Sequence, residues 1–489
     1  MAATSRREKV SAVDTAWLRM DRPHNLMMIT GVLMFRERLP IARLKRLVAE
    51  RFLVFRRFRQ RPVESAGMAF WDTARDFDLD RHVVHTALPA PAGRRELQSL
   101  VSRLATVPLD PAHPRWQFHL VDNLDGGSAL IVRIHHSYAD GIALVRVMLS
   151  MTDAAERGPP AMPFEPPARR RAASDDDPFA QLLQPFAGVL ATARRIGGAL
   201  VDKGVELWTD PSKAIELANQ GGALTAEIAN LTLMEQDSPT RFKGKPAVAK
   251  RVAWAEALPL DEVKTIGRAL GGSVNDVLLS CVAGALGRYL RDKGDDTDGV
   301  TLRALVPVNL RPIEKAYRLG NQFGLVFLDL PIGIENPVER LYAVRDNMAA
   351  LKGSHQPVLA LGILAAMGAG PRILQETLLS ILARNASAVM TNVPGPQQPL
   401  WFAGARIDSL MFWVPQSGDI GMGVSILSYD GKAQFGVITD KGLCPDPGSI
   451  TERVGREFET LVLAALMCPW GIDGDLDPRK VARAVGIRA

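Results

Sequence analysis

Cysteine is nearly absent from this 489-residue chain. Its three copies, Cys281, Cys444 and Cys468, form no CxxC pair and no metal-type spacing. That excludes a disulfide framework and a cysteine–histidine zinc site, and it suits a reducing compartment. Long apolar runs are missing too. The longest, Val358 to Gly370, has thirteen residues, whereas a membrane span needs about 18 or more; it reads as a buried or interfacial helix. The opening MAATSRREKV has no apolar core of signal-peptide type, so the expectation is a cytoplasmic protein. An excess of one charge is also lacking. The net charge is +6, spread along the chain without a basic stripe interleaved with aromatics, which argues against a nucleic-acid partner. No GxSxG elbow or GxxxxGK[ST] loop occurs, and Gly368-Ala369-Gly370 runs into Pro-Arg-Ile rather than a dinucleotide fingerprint. Covalent serine catalysis and nucleotide hydrolysis thus have no local support.

What is present is an ordinary globular composition, 47% hydrophobic and 23% charged, enough for two large cores. One irregular stretch divides the chain. Ala155–Pro178 carries Pro159, Pro160, Pro163, Pro166 and Pro167, then three arginines and three aspartates. Proline forbids a helix interior or a central strand. The expected plan is a domain over 1–154, a linker over 155–178, and a helical connector with a second domain over 179–489. In the first half, Met27–Phe35 reads as a strand, Ile41–Arg51 as an amphipathic helix, and Phe52–Val63 as a strand with a solvated basic face. Gln117–Asp122 and Ala129–His135 read as strands joined at Asp125-Gly126-Gly127, a turn sequence that supplies positive φ. A helix over Ile142–Ser150 follows. In the second half, helices are expected over 180–235, Leu260–Leu270 and beyond Asn275. Strands are expected at Val248–Trp254, Leu302–Pro307, Leu325–Leu330, Ala388–Asn392, Gly421–Tyr429 and Ala433–Thr439. Strands alternating with helices in both halves imply an α/β or α+β fold.

The residues best suited to chemistry are His135-His136-Ser137-Tyr138-Ala139-Asp140-Gly141, at a strand end before a helix. Neighbouring strand side chains point to opposite faces. The two imidazoles therefore do not share a metal; one faces a cleft and the other the interior. An imidazole is the natural general base for a hydroxyl near neutral pH. His136 is the candidate base, Asp140 holds the loop, and Gly141 lets the backbone turn at the helix start. Asn275 and Asp276 either cap the helix that begins there or also line the site. Arg311 either pairs with a carboxylate such as Asp140 or covers the surface, and Trp116 is more in keeping with core than with substrate contact. No residues are assigned to a metal.

HHxxxDG resembles the active-site signature of the CoA-dependent acyltransferases, which include chloramphenicol acetyltransferase, peptide-synthetase condensation domains and the bacterial wax ester synthase/diacylglycerol acyltransferases. Further blocks resemble the last group. They are Ser11-Ala12-Val13-Asp14 with Trp17-Leu18, Pro108-Leu109-Asp110 with Pro114-Arg115-Trp116, and Asn275-Asp276. Pro307-Val308-Asn309-Leu310-Arg311, Gly320-Asn321-Gln322-Phe323-Gly324 and Thr391-Asn392-Val393-Pro394-Gly395-Pro396 follow in order. Arg115 and Asn309 depart from the usual leucine and serine. The resemblance implies two chloramphenicol-acetyltransferase-like domains, each a mixed sheet flanked by helices, with an active-site channel at their junction. It also implies acyl transfer from acyl-CoA, a co-substrate rather than a cofactor, to a fatty alcohol or diacylglycerol. No motif names the oxyanion donors; Asn275 is a candidate for that role. Attachment to a membrane or lipid-inclusion surface follows from the same resemblance. Two alternatives stay open: a condensation-type enzyme using carrier-bound donors, and an inactive lipid-binding homologue.

Overall fold

The structure is a computed structural model. It describes residues 8–65, 68–156, 158–161, 234–309, 319–321, 323–352, 360, 364, 367, 372–416 and 418–467. Most of the expected linker, almost all of the expected 180–235 helices and Arg311 lie outside the described residues, as does most of the Val358–Gly370 run.

Two mixed sheets organise the chain, as expected for an α/β fold. The first has five strands in the order Ser409–Trp413, Met28–Phe35, Gly127–His135, Trp116–Leu124, Val83–Ala87. All its pairs are antiparallel except the last. The second runs Leu258–Pro259, Lys432–Asp440, Met422–Tyr429, Ala388–Pro394, Leu302–Asn309, Phe323–Leu330, with Lys250–Trp254 also on Lys432–Asp440. Its central strands, Ala388–Pro394 and Met422–Tyr429, are parallel. One strand crosses between halves: Ser409–Trp413 comes late in the chain yet pairs along Met28–Phe35 in the first sheet.

Local chemistry explains the elements that frame the site. The hairpin turn carries φ of +47° at Asp125 and +87° at Gly126. Gly127 serves a different purpose from the one expected. A Cβ there would lie 2.2 Å from the Phe35 carbonyl oxygen, so the position is fixed by close backbone approach. Leu260–Leu270 buries Leu260, Val263, Ile266 and Leu270 at helical spacing and ends at Gly271 with φ +70°. Val274–Asp292 begins at a capping box, in which Ser273 and Asp276 exchange hydrogen bonds between side chain and backbone.

The expected strand Phe52–Val63 is not one strand. Val48–Phe52 continues the preceding helix as a π turn, Arg56–Arg59 is a 3-10 turn, and the strand starts at Gln60. The reason is apolar spacing by three. Phe52 and Phe58 are fully buried and stack at 3.9 Å, which a straight strand over this span does not permit. The arginines still mark the surface side, with Arg57 lying over the Trp71 ring and bonded to Glu8.

Candidate active site

The strand Gly127–His135 ends at the first histidine. His136 sits one residue beyond, in a turn held at several backbone points. The His135 N–H donates to the Arg115 carbonyl at 3.0 Å, the His136 N–H to Met27 at 2.7 Å, and the Tyr138 N–H to His135 at 3.1 Å. The Tyr138 hydroxyl donates to the Gln60 carbonyl and accepts the Arg115 N–H. Asp140 then caps the helix Gly141–Ser150, its Oδ1 accepting the Ala143 N–H at 2.8 Å.

The two imidazoles diverge, as strand alternation predicts, but neither opens broadly to solvent: His135 is 2% exposed and His136 5%. The Ser137 N–H donates to His135 Nδ1 at 3.2 Å and the Ser137 hydroxyl lies 2.9 Å away. His135 Nε2 stands 3.5 Å from Asp21 Oδ2. Asp21 also accepts the Met27 N–H and lies 3.8 Å from Arg115. Burial lowers the His135 pKa, and Asp21 partly offsets it. The unusual Arg115 therefore belongs to the surroundings of the first histidine.

The His136 ring stacks on Trp17 at 4.1 Å and meets Phe323 at 5.7 Å. Burial pushes its pKa down to about 4, against the smaller raising influence of Asp140. The ring is thus neutral, and able to accept a proton, at neutral pH. Its carbonyl accepts a hydrogen bond from Asn321 Nδ2 at 2.9 Å, and the same amide donates to Asp14 Oδ1 at 2.7 Å. Burial raises the Asp14 pKa, with Asn321 and Ser11 opposing. Ser11 caps the helix Ala12–Met20 that carries Asp14 and Trp17. Around these rings lie Val13, Met20, Met27, Leu364, Met367 and Leu378.

Other expected site residues fall elsewhere. Gly141 has no positive φ, and a Cβ there would meet nothing within 4 Å. The expected tight turn is therefore absent; the helix start faces open space instead. Asn275 does not cap its helix, because Ser273 and Asp276 do so. Its Oδ1 accepts the Asn392 amide at 2.8 Å, which turns its own N–H groups away from Asn392. Trp116 is fully buried, donates to the Phe58 carbonyl and stacks on His82, a core position. Among the described residues no cluster of metal-ligating side chains occurs, and no single helix is long and apolar enough to cross a membrane.

Asn321, Trp17 and Asp21 were not singled out from the sequence as site residues. Asn321 and Trp17 stand inside blocks that resemble the acyltransferases, and that was the one available signal.

Residues 10–278 match the profile of the wax ester synthase/diacylglycerol acyltransferase catalytic domain, and residues 319–462 that of the WS/DGAT C-terminal domain. The chain belongs to the wax ester synthase/diacylglycerol acyltransferase family. It is an O-acyltransferase. A putative diacylglycerol O-acyltransferase of Mycobacterium tuberculosis is 30% identical over 424 residues, spanning 83% of this chain and 80% of that one. In fold, this WS/DGAT chain resembles the wax ester synthase/diacylglycerol acyltransferase from Marinobacter aquaeolei, with a TM-score of 0.67, 21% identity, and coverage of 94% and 100%. It also resembles the starter condensation domain of rhizomide synthetase, solved with C8-CoA and Leu-SNAC. There the TM-score is 0.53, the identity 15%, and the coverage 95% and 96%. The two-domain, mixed-sheet expectation is thereby met.

Proposed function

We propose that this WS/DGAT chain transfers a long-chain acyl group from acyl-CoA to the hydroxyl of a fatty alcohol or diacylglycerol, with His136 as general base. The observation that carries the reading is the His136 ring, neutral by burial and walled by Trp17 and Phe323. An apolar wall suits an acyl chain, and a neutral imidazole takes a hydroxyl proton.

The alcohol O–H gives its proton to His136 while its oxygen attacks the thioester carbonyl. The tetrahedral oxyanion needs a donor, and Asn275, its oxygen held by Asn392, supplies N–H groups for that role. The C–S bond then breaks, and the CoA thiolate regains the proton from the imidazolium. Transfer is direct, with no acyl-enzyme and no cofactor. The open side of Gly141 supports a substrate passage beside the histidine turn. The protein works in the cytoplasm or at a lipid surface.

The test is CoA release from palmitoyl-CoA with hexadecanol or dipalmitoylglycerol, beside His136→Ala. Alcohol-dependent release that the variant loses supports the reading, and the better acceptor names the product. No release with either acceptor, but transfer from a carrier-bound donor, makes it a condensation-type enzyme. Acyl-chain binding without any ester makes it a lipid-binding homologue.

A further inference from the structure

Between the helix Ala12–Met20 and the strand Met28–Phe35 lies a short loop, 21–27. Its base carries the histidines. Asp21 Oδ1 accepts the Met27 N–H at 2.9 Å, Asp21 Oδ2 stands 3.5 Å from His135 Nε2, and the Met27 carbonyl accepts the His136 N–H at 2.7 Å. The loop also joins two holds on His136. Trp17, stacked on the ring, lies on the helix before it, and Met27, bonded to the backbone, ends it. Arg22 and Asn25 exchange backbone hydrogen bonds at 3.1 and 3.0 Å, which closes the tip into a tight turn.

The tip is held by the other half of the chain. Asn25 is 1% exposed. Its Nδ2 donates to the Gly418 carbonyl at 2.5 Å and to the Ile420 carbonyl at 3.2 Å, and its Oδ1 accepts from the Lys250 ammonium at 2.8 Å. These partners fix the amide. Carbonyls only accept and an ammonium only donates, so the flipped amide would be wrong at all three. Lys250 is itself buried and pairs at 3.5 Å with Asp440, its neighbour across the second sheet. The Asn25 oxygen gives this ammonium a second acceptor away from water, where an unmet charge is costly. Two further ties from the loop to the second half are open to water: Arg22 with Glu376 at 3.1 Å and His24 with Asp419 at 3.9 Å. Exposed pairs of that kind contribute little.

We propose that Asn25 is a positioning residue, through which the seating of the second half sets the His136 turn. Its side-chain bonds all go to the second half, so it acts on His136 only through the loop. With the amide held by Lys250, Gly418 and Ile420, the loop keeps the Met27 carbonyl on the His136 N–H and the Trp17 helix against the ring. Without that hold, both supports of His136 shift together. This rests on the reading of His136 as the base.

The experiment compares wild type, Asn25→Ala, Asn25→Asp and Glu376→Gln as full chains. Steady-state kinetics with palmitoyl-CoA and hexadecanol run beside hydrogen exchange measured without substrate. For Asn25→Ala, kcat should fall about 100-fold, the loss expected when a catalytic group moves by about 1 Å, with the KM of both substrates changed by no more than about twofold. Aspartate keeps the shape and the oxygen facing Lys250 but sets its second oxygen against two carbonyls. Its kcat should fall at least about tenfold, and it carries the test should the alanine variant not fold. Glu376→Gln removes only the exposed pair, and its kcat should stay within about twofold of wild type. In both Asn25 variants the peptides covering 21–28 and 134–140 should exchange faster, while Met422–Tyr429 in the second sheet keeps its protection. Equal loss of protection in that strand would mean general loosening and overturn the proposal. Wild-type kcat with an unchanged His136 turn, or a raised KM at wild-type kcat, would overturn it as well, as would a loss in Glu376→Gln equal to that in Asn25→Ala. The exchange readout stands even when no acyl donor is turned over, so failure of the base reading and failure of the positioning reading are told apart.

Discussion

His135 and His136 are adjacent, both sealed from solvent, and set in surroundings of different kinds. The first is enclosed by polar groups: Ser137 on one nitrogen, Asp21 near the other, and Arg115 behind Asp21. The Ser137 N–H has only a proton to give, so His135 Nδ1 accepts and Nε2 carries the hydrogen. The second is enclosed by Trp17 and Phe323, with its backbone rather than its ring held by Asn321. The first ring, set among polar groups with Asp21 3.5 Å from Nε2, serves architecture. The second, stacked on Trp17 and flanked by a tilted Phe323, is ready for proton transfer. The signature HHxxxDG names both residues and does not separate these roles; their partners do.

The sharpest test of the contrast is paired substitution. His136→Ala should lower kcat by about 100- to 10,000-fold while melting close to wild type. His135→Ala removes the link between Asp21 and Ser137 and leaves buried polar groups without partners. It should cost about 1–3 kcal/mol of stability, read by urea denaturation, with a smaller loss of turnover in the folded enzyme. A reversal of these outcomes would exchange the roles.

Acidification sharpens the comparison further. The His136 pKa is lowered to about 4 in the fold from about 6.5 in the unfolded chain. Between those values the unfolded state binds the proton and the native state does not. Stability is therefore full above about pH 6.5, falls as pH drops toward 4, and levels off below. Urea titrations at pH 7 and pH 5 should show the loss, and His136→Ala should show less of it. In kinetics, kcat/KM should hold level down to about pH 5 and fall as pH drops through about 4.

How far the sequence reaches depends on the range of the interaction. The hairpin at Asp125-Gly126 and the helix Leu260–Leu270 are decided by residues within a few positions, and both were legible. The helix start at Gly141 was read in place but for the wrong reason, because open space beside a residue leaves no mark on its neighbours. Asn321 was seen as part of a block, without a role, because its meaning depends on Asp14 and His136, both distant in sequence. Phe52–Val63 was misread because three-residue aromatic spacing competes with β-propensity over so short a stretch.

Two smaller effects complete the series. Gly141→Ala should change stability by less than about 1 kcal/mol, since neither backbone nor packing demands glycine there. Its turnover with a bulky diacylglycerol should fall more than with a short alcohol, in a direct comparison of kcat/KM. Arg115→Leu, which restores the residue more usual in this family, should leave kcat within about twofold, because the side chain stands beside Asp21 in the surroundings of the first histidine and not against His136.

The strand Ser409–Trp413, laid along Met28–Phe35, has a consequence for how the molecule comes apart. The first half does not own all of its sheet, whereas the described strands of the second sheet all come from the second half. A fragment ending before residue 409 exposes the raw edge of Met28–Phe35, an invitation to aggregate, and the complementary fragment carries a strand with nothing to join. Thermal melting should accordingly be a single cooperative event rather than two, and complementation from separately made fragments should require co-expression. The same clasp ties the placement of a late segment to the integrity of an early sheet, so acyl transfer and global unfolding should be lost together as denaturant rises.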